Sequence, residues 1–173
     1  MTIKVGDKIP SVTLKHLGAD GMEDLSTDDL LRDKKTVLFA VPGAFTPTCS
    51  AQHVPGFLTH ASEIKEKGVD QIICLSVNDA FVMNAWGKDR GTGEEILMLG
   101  DGNGDLTRSM DLTLDGSGFG LGIRSQRYAM IIQDGSITAL EVEEGPGLNN
   151  SSAENILSKP SHVHEEWKSD ASR

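Results

Sequence analysis

The chain has 173 residues, a formal net charge of −10 and only two cysteines. Its acidity repels phosphate backbones, so no nucleic acid partner is expected. No apolar run approaches the roughly 18 residues of a membrane span, and two cysteines cannot build a disulfide scaffold. Because the first residues lack the apolar core of a secretory signal, we expect a cytoplasmic protein without membrane contact, whose thiols stay reduced.

The first half of the chain predicts a strand, a helix and a second strand. Lys35–Val41 is a short apolar run after a charged turn, which is typical of a buried strand. Over residues 47–67 apolar side chains recur every three or four positions, which predicts a helix that Pro55 kinks and Gly68 ends. Residues 71–77 form another apolar run and predict a central strand. Such a βαβ unit has parallel strands.

The second half predicts shorter elements. After Asn78 or Asp79, either of which could cap it, a helix carries one apolar face, formed by Phe81, Val82, Ala85 and Trp86. A strand, a helical segment, a hairpin turning at residues 134–136 and a final helix follow, with predicted ranges 96–99, 106–110, 127–133, 137–142 and 151–157. Ser151 and Glu154 have the spacing of a capping box at the last helix.

The order of these elements indicates the fold class. Without a linker or an internal repeat, residues 1–158 form one domain, and residues 159–173 form a polar C-terminal tail. Two βα units followed by a hairpin and a helix predict an α/β protein with a thioredoxin-like fold, a central mixed β-sheet flanked by helices. The pattern alone also allows other doubly wound folds.

Cys49 lies at the predicted start of the first helix. Thr46 is a good cap and Pro47 suits the first helical position, so Cys49 falls in the first turn. Free amides and the helix dipole there favour the thiolate over the thiol. From position alone, a small buried cysteine that only packs is an equal alternative.

Residues 42–49, PGAFTPTC, closely resemble the active-site signature of the peroxiredoxins, in the type II/type V form of this redoxin superfamily. The resemblance continues in residues 53–57, 74–86 and 122–132, and spans most of the chain. It implies a thioredoxin-like fold and a thiol-dependent peroxidase that reduces hydrogen peroxide and small alkyl hydroperoxides. No metal or organic cofactor is needed for that reaction.

The resemblance implies roles for four residues. Cys49 matches the peroxidatic cysteine, whose thiolate attacks a peroxide oxygen and becomes a sulfenic acid. Thr46 matches a threonine that contacts sulfur and peroxide, and Pro42 matches a proline that shields the pocket from water. Arg124 matches an arginine that faces the site from a later strand, and the alternating glycines of residues 116–122 predict a loop that delivers it. Its rigid fork of donors suits the charge that develops on the leaving oxygen.

A thiol must then clear the sulfenic acid. Residues 147–155 hold no cysteine, although mammalian type V enzymes carry their resolving cysteine there. Cys74 matches the second cysteine of the plant type II enzymes and is a candidate resolving residue. Its place inside a predicted buried strand also fits a cysteine that only packs. A disulfide would need the Cα atoms of Cys49 and Cys74 within about 7 Å, so the first turn of the helix would have to unwind. We therefore expect an external reductant, either glutathione with glutaredoxin or a thioredoxin.

Two other functions stay open from the sequence. A cysteine hydrolase would need a base near Cys49, and His53 lies one helical turn away. A non-enzymatic redox sensor or holdase would only become oxidised at the same cysteine. The resemblance further implies a homodimer packed near the active-site end.

Overall fold

The structure is a computed structural model that describes residues 2–48, 52–144 and 148–159. Cys49 and the tail from residue 160 onward lie outside the described residues. The strands are β1 (Thr13–Gly18), β2 (Gly21–Ser26), β3 (Lys35–Val41), β4 (Gln71–Ser76), β5 (Leu97–Gly100), β6 (Thr113–Asp115), β7 (Ile123–Ser125), β8 (Tyr128–Gln133) and β9 (Ser136–Val142). The helices are α1 (Thr27–Leu31), α2 (Val54–Thr59), α3 (Ala61–Glu66), α4 (Ala80–Arg90), α5 (Asp105–Ser109) and α6 (Ala153–Leu157).

A seven-stranded mixed sheet forms the centre, in the order β2-β1-β5-β4-β3-β8-β9. Strands β3, β4 and β5 are parallel, as the βαβ unit predicts, and β8 runs antiparallel to β3. Strands β6 and β7 pair separately as a small antiparallel hairpin. The predicted α/β class and mixed sheet flanked by helices are confirmed.

Strand β3 is buried along its whole length because both faces of the sheet are covered. Val37, Phe39 and Val41 enter a core with α2, α3, α4 and α6. Leu38 and Ala40 point to the other face and enter a second core with β1, α1 and α5. Two-sided burial explains why the strand reads as a continuous apolar run rather than an alternating one.

The N-terminal hairpin of β1 and β2 was not predicted from the sequence. Leu14 is the buried residue of β1, and β2 is exposed or half-buried throughout. An edge hairpin buries too little apolar surface to produce a regular pattern, and its cross-strand neighbours include charged pairs such as Lys15 opposite Asp24.

The predicted helix over residues 47–67 is interrupted. Residues 47–48 are helical, residues 52–53 form a wider π-type turn, and α2 follows with Pro55 as its second residue. His60, with φ −100° and ψ 7°, then separates α2 from α3. The His60 ring lies 3.5 Å from the Glu154 carboxylate of α6, so contact with the last helix accompanies this break. Gly68 ends the segment with φ +92°, as predicted.

Two predictions about helix ends and faces need correction. Asp79 caps α4, since its carboxylate accepts from the Val82 N–H, but of the predicted apolar face only Trp86 is buried. Phe81 is 61% exposed, because the face that meets the sheet is set by Ala80, Met83, Trp86 and Gly87. At α6 the cap is Ser152 rather than Ser151, because Ser151 is engaged elsewhere.

The predicted hairpin of β8 and β9 is confirmed. Asp134 and Gly135 both have positive φ, +49° and +83°, as a two-residue hairpin turn of matching twist requires. Among the residues described, no helix combines the length and apolarity needed to cross a bilayer.

Candidate active site

The loop that follows β3 is tied down on both sides. The Thr46 hydroxyl donates to the Gly43 carbonyl at 2.7 Å, and the Ala44 N–H donates to the Asn78 side-chain oxygen at 3.0 Å. Asn78 follows β4, so the loop is fixed against the carboxyl ends of two neighbouring parallel strands, where α/β sheets bind ligands. Residues 47–48 are already helical, which confirms the predicted helix start after Thr46.

Phe45 has a strained backbone in this loop. Its φ is +66°, a conformation that costs a bulky residue energy. Its ring is 51% exposed and lies 6.3 Å from the Trp86 ring. The loop therefore holds an aromatic side chain at the surface, directly beside the threonine of the motif.

The structure brings Arg124 to the same loop. A Cβ on Gly43 would lie 3.3 Å from the Arg124 Nη1 and 3.1 Å from the Thr46 Cγ2, so the absent side chain lets the guanidinium and the threonine approach. Arg124 is half-buried on β7, and its Nε donates to the Leu121 carbonyl at 2.9 Å. Pro42, half-buried, precedes Gly43. The predicted residues Pro42, Thr46 and Arg124 thus lie around one short loop.

A second arginine, Arg127, was missed by the sequence reasoning. It is 6% exposed and immediately precedes Tyr128, which pairs with Ala40 near the end of β3. The antiparallel pairing places Arg127 at the carboxyl end of β3, beside the helix that follows the motif. The sequence signal that could have identified Arg127 is a charged residue at the start of a predicted strand.

His53 lies between Arg127 and the C-terminal segment. It is 1% exposed and stands in an aromatic group, with ring centroids 4.8 Å from Phe39 and 5.5 Å from Phe57. Its Nδ1 is 2.9 Å from the Arg127 Nη1, and its Nε2 is 2.9 Å from the Ser151 carbonyl. A guanidinium only donates and a carbonyl only accepts, so the proton must sit on Nε2.

Burial and the Arg127 charge keep His53 neutral, although its contact with the Ser151 carbonyl acts in the opposite direction. Burial first, and then the nearby Arg127 charge, lower the pKa of His53 from 6.5 to about 3. Protonation of Nδ1 would also turn an acceptor into a donor facing the guanidinium. With both ring nitrogens occupied, His53 is poorly suited to the base role that a cysteine hydrolase would require.

Cys74 is a fully buried cysteine of β4. It pairs in register with Phe39 of β3 and belongs to the core beneath α2 and α4. The predicted burial of Cys74 inside a strand is confirmed. Cys49 itself lies outside the described residues.

Large apolar side chains are exposed around this end of the molecule. We call them the apolar rim: Phe45, Phe81, Leu114, Phe119 and Ile123, which are 51%, 61%, 39%, 88% and 55% exposed. Phe45 and Phe81 follow the carboxyl ends of β3 and β4. The others lie on the β6–β7 hairpin, where Leu114 pairs with Arg124 and the predicted glycine loop makes the connection.

Comparison with known proteins gives one consistent family. The family model described as Redoxin matches residues 4–157. The chain is 50% identical over 160 residues to peroxiredoxin-2E, chloroplastic, of Arabidopsis thaliana, covering 90% of this chain and 68% of that protein. It is 47% identical to peroxiredoxin-2B of the same plant, over 90% of this chain and 96% of that protein.

A solved structure shares the fold. The crystal structure of reduced Prx3 from Vibrio vulnificus in complex with H2O2 matches with a TM-score of 0.88 and 50% identity. The match covers 91% of this chain and 98% of that one. It confirms the thioredoxin-like form of the mixed sheet.

Proposed function

The chain belongs to the redoxin family as a peroxiredoxin, a thiol-dependent peroxidase, and from this we propose that Cys49 is its peroxidatic cysteine. The substrates are hydrogen peroxide and small alkyl hydroperoxides. The observation that supports this assignment is the convergence of Pro42, Thr46 and two arginines at the end of β3, around the motif that contains Cys49. No metal or organic cofactor takes part in the proposed reaction.

The proposed chemistry follows from charge. The Cys49 thiolate attacks one peroxide oxygen, an S–O bond forms, and the O–O bond breaks. The electron pair leaves with the distal oxygen as hydroxide or alkoxide, which takes up a proton, and Cys49 becomes a sulfenic acid. Arginine donors held near the breaking bond stabilise the charge on the leaving oxygen without reorganising. Thr46 orients sulfur and peroxide, and Pro42 limits the access of water.

Turnover then needs reducing thiols. One thiol attacks the sulfenic acid to form a mixed disulfide and water, and a second thiol releases reduced Cys49. We assign these steps to glutathione with glutaredoxin, or to a thioredoxin. Direct resolution by Cys74 would require this fully buried side chain to come within the short reach of a disulfide from Cys49.

We also propose a homodimer that packs through the apolar rim. Monomeric proteins rarely leave several large apolar side chains exposed at one end, and such clusters mark interaction sites. The reducing compartment needed for thiol turnover is consistent with the cytoplasm. Two relatives are named as chloroplastic, so localisation of the protein in its own cells is the direct test.

Intact mass after one equivalent of hydrogen peroxide tests the reaction. We expect a gain of one oxygen that Cys49→Ser abolishes and Cys74→Ser retains, with reduction back by glutathione and glutaredoxin or by thioredoxin. Loss of two hydrogens with Cys49 joined to Cys74 would instead make Cys74 the resolving residue. An unchanged mass after seconds at micromolar peroxide would contradict the proposed function.

The same experiment distinguishes a peroxidase from the second candidate function, a redox sensor or holdase. A redox sensor or holdase would be oxidised slowly and would not turn over when thiol is added. The hydrolase alternative predicts that His53→Ala abolishes acylation of Cys49 by an activated ester.

A further inference from the structure

We propose that Glu143 and Ser151 are positioning residues, which hold His53 in one tautomer and thereby align Arg127 with the peroxide. This inference rests on the proposed function, in which Arg127 contributes to stabilising the leaving oxygen. Neither residue belongs to the motif of residues 42–49, and both lie in the last part of the described chain.

Glu143 is an anchor for the segment before α6. The residue is 8% exposed, and one carboxylate oxygen, Oε2, accepts from the Asn149 N–H at 2.9 Å, the Ser151 N–H at 2.7 Å and the Ser151 hydroxyl at 2.8 Å. Burial acts to raise the pKa of Glu143, but these hydrogen bonds outweigh it and hold the pKa below its ordinary value. A charged carboxylate therefore fixes this turn.

The contacts close on themselves. We call them the hydrogen-bond ring, formed by Arg127, His53, Ser151 and Glu143. The Arg127 guanidinium donates to His53, whose Nε2–H donates to the Ser151 carbonyl. Ser151 donates to the Glu143 carboxylate, and the Glu143 N–H returns to the Arg127 carbonyl at 2.9 Å.

The hydrogen-bond ring allows His53 to carry its proton on one nitrogen only. Because the Ser151 carbonyl can only accept, it holds the proton on Nε2 and leaves the lone pair of Nδ1 for the guanidinium. If Ser151 moved, the imidazole could carry its proton on Nδ1 instead and would then face Arg127 with a donor. Fixing residues 149–151 therefore fixes the direction in which the guanidinium is held.

The helix that follows does not need this anchor. Ser152, not Ser151, caps α6 by accepting from the Asn155 N–H. The Ser151 hydroxyl and the Glu143 carboxylate can therefore be changed without removing the helix cap. Because the two neighbouring serines have different partners, Ser152→Ala is a matched control for Ser151→Ala.

The test compares Glu143→Gln with its exposed neighbour Glu144→Gln, and Ser151→Ala with Ser152→Ala. For each full-length protein we would measure the second-order rate of Cys49 oxidation by hydrogen peroxide. Correlations of ring nitrogens and protons by NMR report the tautomer of His53. We expect Glu143→Gln to lower the rate by about tenfold or more, because a misaligned Arg127 stabilises the leaving oxygen less well, with loss of the pure Nε2–H signature. Ser151→Ala gives a smaller loss, and both controls stay within about twofold.

Several outcomes would overturn the inference. One is a Glu143→Gln protein no slower than Glu144→Gln. Another is a slower protein whose His53 keeps its tautomer, because the effect would then not pass through His53. If Glu143→Gln does not fold, Ser151→Ala and its rescue by Ser151→Thr decide by the same two readouts. A wild-type protein that is unreactive to peroxide would overturn the proposed function, whereas the tautomer measurement judges the ring by itself.

Discussion

The two arginines at the end of β3 occupy contrasting regions. Arg124 stands half-buried in the apolar rim and donates to a backbone carbonyl of its own hairpin. Arg127 is buried and is held by His53, a residue 74 positions away in sequence. Electrostatic interactions are stronger in the dry interior than at the wet surface. We therefore expect the rim to govern association and the hydrogen-bond ring to provide the better-fixed charge.

Conservative replacement of each arginine tests this difference most directly. Lysine keeps the charge but loses the rigid fork of donors. We expect Arg127→Lys to lower the rate of Cys49 oxidation by about 100-fold, and Arg124→Lys to lower it by roughly tenfold, because its surroundings are partly solvated. Stopped-flow measurements with hydrogen peroxide supply both values. The opposite ranking would make Arg124 the principal donor and would show that burial does not make Arg127 the more effective charge.

The neutral His53 predicts a pH-dependent stability. Its folded pKa of about 3 lies below the unfolded value of 6.5, so the unfolded chain binds an extra proton as the pH falls through this window. Lowering the pH from 7 to 5 should cost about 2 kcal/mol of the free energy of unfolding from this residue alone. Urea unfolding at fixed protein concentration measures it.

His53→Gln is the matched variant, because its amide does not titrate. We expect the stability difference between pH 7 and pH 5 to shrink by about the same 2 kcal/mol in this variant. Glu143, whose pKa is lowered, loses its own contribution at more acidic pH, as the pH falls below the unfolded carboxyl pKa toward the folded value. Equal pH dependence in wild type and His53→Gln would show that His53 is not held neutral.

The apolar rim predicts an effect on assembly rather than on chemistry. Phe81 is 61% exposed and lies on α4 away from the core, so Phe81→Glu should leave the fold intact. If the rim pairs two copies, the introduced charge should convert the dimer to a monomer in analytical ultracentrifugation. Val5→Glu is the control, since Val5 is 55% exposed outside the rim. A wild-type protein that sediments as a monomer would contradict the proposed dimer.

Much of the fold could be predicted because its central elements are locally encoded. β3 and β4 are continuous apolar runs, Asp79 starts a helix, and Asp134-Gly135 turns a hairpin. The N-terminal hairpin could not be predicted, because its strands lie at the sheet edge and bury little. The exposed position of Phe81 was missed for a related reason: helical spacing defines a face, but only the packing of Met83 and Trp86 decides which face is buried.

The sequence by itself identified the family, and it predicted Cys49 as the reactive residue and a helix start that favours its thiolate, since a motif of eight neighbouring residues carries these signals. Only the tertiary structure decided which arginine is buried and which tautomer His53 adopts. Those properties depend on contacts between residues 74 and 98 positions apart, which no local pattern records. Burial makes those contacts strong, and the pairing of β8 with β3 brings the partners together.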